Sequence, residues 1–291
     1  MDTSKQVHDH EATGWQRGFY DDVKHTFRAP VVNWIFRTMT ANDPEFARYA
    51  WGQVKPLYGT RAFARTSVAY RDAALVDLDD LPSYDPAALS LSPAEFAELR
   101  AQLATFDIVA PRLAVLFATV DRALSGESLG TDPADDPATT APAPGWLDRD
   151  RGVPVSMVAA SDVPESLSGT VDAVRGFHGL DEGLPSVYRC LAQWPDAFEQ
   201  VWDDLEPVVE SESFERAYGR AGDLVDEYVS GVPYRPRLTP EDLRDVGFED
   251  DRIEAARGLF AEFNGRSVGT VLLALPVFAA TVGAGGERAL L

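Results

Sequence analysis

The residues of this 291-residue chain best placed to do chemistry are two arginines that each follow an aromatic residue, Phe36-Arg37 and Tyr188-Arg189. A guanidinium is a planar fork that matches a carboxylate, so two of them facing one cleft would hold a small organic acid. Their alternative use is structural, as ion pairs to nearby acids. The other reactive side chains offer less. Of the four histidines, His8, His10, His25 and His178, the first two form a His-X-His pair that can chelate a metal, but only within a stretch expected to be a flexible acidic tail. Cys190 sits among Tyr188, Leu191 and Trp194, which suits a core thiol better than a nucleophile. The chain carries no glycine-rich phosphate loop, zinc-protease motif, nucleophile elbow or paired-cysteine motif. No metal and no cofactor is expected.

What must position the two arginines is a sequence that repeats itself. Pro44 and Pro195, Trp51 and Trp202, Pro56 and Pro207, Phe63 and Phe214, and Arg65 and Arg216 all stand 151 positions apart. Residues as rare as Trp and Pro do not hold one offset by chance. Paired repeats tend to pack as a pseudo-dimer with a cleft along the pseudo-twofold axis. Within each copy the apolar spacing is helical: Ala47, Trp51, Val54 and Tyr58 recur at steps of four, three and four, and Phe198, Trp202, Leu205 and Val209 do the same. Ser92-Pro93-Ala94-Glu95 and Thr239-Pro240-Glu241-Asp242 are helix starts, a hydroxyl followed three residues later by an acid. Alternating strand patterns are absent. The expectation is an all-α fold of two tandem helical repeats, with a flexible tail over 1–19, repeat one over 20–125, an acidic Pro/Ala-rich linker over 126–152 and repeat two over 153–291.

Composition narrows the partners. Forty-seven acidic residues against twenty-six basic ones give a net charge of -21, and only Lys5, Lys24 and Lys55 are lysines. Such a surface repels itself in dilute buffer and is tolerated where salt shortens the Debye length to about 3 Å near 1 M. That points to a halophile's cytoplasm; an ordinary acidic protein is the alternative. Nucleic acid is disfavoured for want of a basic stripe. Val268 to Gly286 carries no charge, but its proline and glycines suit a buried helix better than a membrane span, as does Leu113 to Val120. The N-terminus has no apolar signal core, and one cysteine fits a reducing cytosol. Oligomeric state is not indicated.

The segments APVVNWIFRTM, PLYGTRAFAR and APRLAVLFATVDRAL, followed after the linker by GLPSVYRCLAQWPDAFEQVWDDL, are similar to the group I (DehI-type) 2-haloacid dehalogenases. The resemblance runs from about Val23 to Leu275. It implies an all-α pseudo-dimer that hydrolyses a short 2-halo carboxylic acid through a water activated by an aspartate, without a covalent ester. It also implies a substrate site at Asn33, Trp34, Arg37, Ser186, Val187, Tyr188 and Arg189. The chain departs from the family where chemistry is concentrated: the aspartate expected between Ser186 and Tyr188 is Val187, and the asparagine expected before Pro111 is Ala110. Valine accepts no proton and alanine orients no water. A displaced carboxylate, Asp107, Asp181 or Glu182, would have to serve as base. Besides an active dehalogenase, the sequence leaves open a small-carboxylate binder with changed chemistry and a non-catalytic interaction protein.

Overall fold

A computed structural model describes residues 1–78, 80–130 and 152–285. Most of the expected linker, 131–151, lies outside the described residues. Every regular element among them is helical, and no β-strand occurs. In the first half these are α1 (Gly14–Phe27), α2 (Trp34–Asn42), α3 (Pro44–Tyr58), α4 (Arg61–Leu75) and α5 (Pro93–Leu124). The second half has α6 (Ser168–His178), α7 (Ser186–Leu191), α8 (Pro195–Val209), α9 (Glu212–Ser230), α10 (Pro240–Asp245), α11 (Asp250–Phe263) and α12 (Arg266–Thr281).

Local sequence explains the boundaries. α1 and α6 both end on a residue in the left-handed region, Arg28 at φ 57 and Gly179 at φ 64, which turns the chain back and lets it cap the last carbonyls. α3 and α8 begin on proline, whose missing N–H is no loss in a first turn. Ser92 and Thr239 each form a complete capping box. Their helices nonetheless differ. α5 runs unbroken for 32 residues, whereas α10 stops after 6. Gly247 at φ 94 breaks the chain after α10, and the Asn264-Gly265 turn divides α11 from α12.

Each half builds an aromatic cluster around its repeated tryptophan. Trp51 meets Phe36 edge-on at 5.4 Å and also contacts Phe27 and Tyr58. Trp202 meets Tyr188 edge-on at 5.8 Å and contacts Phe177. Both tryptophans are buried. The halves pack α4 against α9 and α5 against α12, and hydrogen bonds cross the seam from Tyr228 to the Leu57 carbonyl and from the Tyr84 N–H to the Thr281 carbonyl. α5 is long and apolar enough to cross a bilayer, but its apolar stretch is buried by these neighbours.

The N-terminal segment differs from the tail expected over 1–19. α1 already begins at Gly14, and the residues before it lie against the first half. The Val7 N–H donates to the Arg37 carbonyl, Tyr20 donates to the Val7 carbonyl, and Asn42 exchanges bonds with Asp2. Those bonds satisfy backbone groups that a free tail would leave to water.

Candidate functional site

Arg37 lies in the second turn of α2 and Arg189 in the short α7, each half-buried. Burial depresses both guanidinium pKa values, and the positive charge of Arg189 further lowers that of Arg37. The structure thus brings the two arginines into each other's field. Neither forms an ion pair with any carboxylate among the described residues, unlike the structural alternative. Arg189 donates through Nε to the Val158 carbonyl at 2.8 Å, and Arg37 donates through Nη1 to His8 Nδ1 at 3.5 Å. The Arg37 Nε is buried without a hydrogen-bond partner. Two half-buried cations with no carboxylate partner among the described residues leave a demand for an anion.

The remaining expected residues divide. Asn33 caps α2 one turn before Arg37, with its Oδ1 buried and unbonded. Ser186 opens α7 and is half-buried. Trp34, expected in the cleft, is instead 46% exposed. Its indole N–H donates to the Thr3 carbonyl and its ring meets Phe263 at 5.7 Å, because the first turn of α2 points it outward beneath the N-terminal segment. Val187 and Tyr188 belong to the core of the second half, at 1% and 0% exposure, rather than to an open cleft. Ala110 is equally buried.

None of the three candidate carboxylates reaches the arginines as a free base. Asp107 is locked to Arg71 at 3.0 Å in an almost fully buried pair whose partner also donates to the Ala284 carbonyl. Asp181 and Glu182 sit exposed in the loop between α6 and α7. Arg175 fixes that loop by donating to the Gly183 carbonyl.

A buried polar network joining Thr270, His178 and Tyr188 was not legible in the sequence. Thr270 donates its hydroxyl proton to the Ser267 carbonyl at 3.0 Å, so its oxygen accepts from His178 Nδ1 at 2.8 Å. His178 Nε2 is therefore the bare nitrogen, and it accepts from the Tyr188 hydroxyl at 2.5 Å. Burial pushes the His178 pKa down to about 3 and the Tyr188 pKa up. This network holds Tyr188, and with it the turn that carries Arg189. Also unforeseen is the contact of His8 with Arg37, which follows from the N-terminal segment lying against α2. Cys190 is a buried free thiol, its pKa pushed up to about 12 by burial. No group of metal-ligating side chains occurs among the described residues. A separate cavity of about 220 Å³ lies between the halves, lined by Tyr70, Phe117, Tyr218, Phe263 and Leu272 among others, and none of the expected site residues borders it.

This all-helical fold has relatives. The family model for halocarboxylic acid dehydrogenase DehI matches residues 30–162. A configuration-inverting 2-haloacid dehalogenase of Pseudomonas sp. (strain 113) is 29% identical over 257 residues, 82% of this chain and 81% of its own. An (R)-2-haloacid dehalogenase of Pseudomonas putida is 24% identical over 278 residues, 92% of this chain and 89% of its own. A solved D-2-haloacid dehalogenase in complex with L-LA superposes with a TM-score of 0.81 at 21% identity, covering 95% of each chain, a likeness of fold. These are the proteins the chain is similar to: a DehI family model over part of its length and 2-haloacid dehalogenases over most of it.

Proposed function

We propose that this protein binds a short 2-substituted carboxylic acid between its two halves, with Arg37 and Arg189 as the carboxylate donors. The observation that carries the reading is that these two arginines share a field, are partly desolvated, and have no acidic partner among the described residues. The equal spacing of the repeated residues supports a pseudo-dimer in which α2 and α7 are equivalent elements. The excess of carboxylates supports a cytoplasm rich in salt as its setting.

Hydrolytic removal of halide is the second reading, favoured by the dehalogenase relatives. It needs a base within hydrogen-bond reach of a water. Val187 and Ala110 are apolar and buried where that base and its helper are expected, so the protein is read as holding the acid without a built-in activator of water.

Calorimetric titration with chloroacetate and 2-chloropropionate in about 2 M KCl tests the site. Arg37→Ala or Arg189→Ala is expected to weaken binding by about 1.5–3 kcal/mol, the usual worth of a hydrogen bond to a charged group, and Lys at either position to restore little of it. Unchanged dissociation constants in both alanine variants would remove the arginines from the site. Halide release by the unmodified protein well above background would move the reading to hydrolysis.

A further inference from the structure

We propose that the cavity bordered by Tyr70 and Tyr218 is a second binding site, separate from Arg37 and Arg189, that takes a neutral, ring-sized carbonyl compound with both phenols donating to its oxygen.

The space suits one six-membered ring. Its volume is about 220 Å³, and an apolar cavity of about 150 Å³ is enough to hold benzene. Phe117 of α5, Phe263 at the end of α11, and Leu272 and Leu273 of α12 are buried and give it apolar walls. Gly222, Asp226 and Asn264 are exposed and form its mouth.

Two hydroxyls stand among these walls. Tyr70, on α4, lines the cavity at 4% exposure, and its hydroxyl has no hydrogen-bond partner among the described residues. Unlike the Thr119 hydroxyl on α5, it is not sealed from accessible space, so the cavity is where it opens. Tyr218 enters from α9 across Gly269. A Cβ at Gly269 would stand 2.7 Å from the Tyr218 hydroxyl, so only a glycine there lets the phenol occupy this place. Burial first, and then the field of Tyr218, raise the Tyr70 pKa, which holds that phenol as a neutral donor.

These groups select a class of ligand. A buried donor without an acceptor is costly, and a carbonyl oxygen, with two lone pairs, accepts from two phenols at once. A ring without an acceptor leaves both unbonded. A carboxylate meets no free charge: of the cations that touch Asp226 and Tyr218, Arg122 is paired with Glu127 and Asp226, and Arg266 with Glu215. Asp226 itself stands at the mouth and repels an anion.

NMR titration of the intact chain in about 2 M KCl with cyclohexanone and with benzene tests this. Cyclohexanone is expected to bind at least about fivefold tighter than benzene, the worth of its hydrogen bonds. Tyr70→Phe keeps the ring and deletes the donor, and should bring the Kd of cyclohexanone to that of benzene. Tyr218→Phe, at a half-buried position, should weaken cyclohexanone at least about twofold and serves as the check should the Tyr70 variant fail to fold. Cyclohexanecarboxylate should not displace cyclohexanone, whatever it binds elsewhere on the protein. Equal binding of the two neutral rings, or a cyclohexanone Kd indifferent to both phenylalanine substitutions, overturns the role of the phenols. Displacement by cyclohexanecarboxylate overturns the preference for a neutral ligand. Absence of cyclohexanone binding up to about 50 mM means that the cavity holds only water, and overturns the site itself while leaving the arginine reading untouched.

Discussion

Acid should unfold this protein partly through one histidine. His178 is 3% exposed, its Nδ1–H is given to Thr270 and its Nε2 receives the Tyr188 proton, so a second proton has no place to go without breaking the bond to Tyr188. Its pKa of about 3, against an ordinary 6.5, means that the unfolded chain takes up a proton the folded chain refuses. The stabilisation is complete above the unfolded value and is lost as pH falls from 6.5 towards 3, at about 1.4 kcal/mol per pH unit. By pH 5 the expected loss is about 2 kcal/mol, a large part of a typical stability. The informative quantity is a difference between the parent and a variant that lacks this imidazole. Urea unfolding of the parent and of His178→Gln at constant high salt, from pH 7 to pH 5, isolates it. The parent should lose about 2 kcal/mol more than the variant over that range. Parallel pH profiles would refute the claim that His178 is held neutral by its two partners.

Three further outcomes are expected. Asp107→Asn should destabilise the fold by about 3–5 kcal/mol by stranding the buried Arg71 charge, whereas replacing both partners with apolar residues should recover most of it in the same unfolding assay. Val187→Asp places a carboxylate where the family resemblance expects one; a gain of halide release from 2-chloropropionate would establish that the chemistry was lost at this position, and rapid release by the parent would refute that placement. Lowering salt below about 0.5 M should depress the thermal midpoint, because 47 acids cannot be paired by 26 bases, and a midpoint indifferent to KCl would contradict the self-repulsion argument.

The helical elements are legible in the chain because they are written in local terms. The steps of four, three and four through Trp51 and Trp202 can be buried only by a helix, and proline, capping boxes and Gly179 mark helix ends whatever surrounds them. That Val187 and Ala110 cannot transfer a proton is legible too, since residue type alone decides it. What the chain meets after folding is not written locally. Nothing in residues 1–13 marks them as a packed segment, because their partners, the Arg37 carbonyl, Asn42 and Tyr20, lie up to forty positions away. The fate of Asp107 was decided by Arg71 on a neighbouring helix, and Trp34 was turned outward by the position of α2 rather than by its own character. His178 and Thr270 stand 92 positions apart, and only the packing of α6 on α12 makes them one network with Tyr188. Periodicity tells which face of a helix is buried, but the partner on the other side belongs to tertiary structure, and the chemistry of a polar side chain depends on that partner.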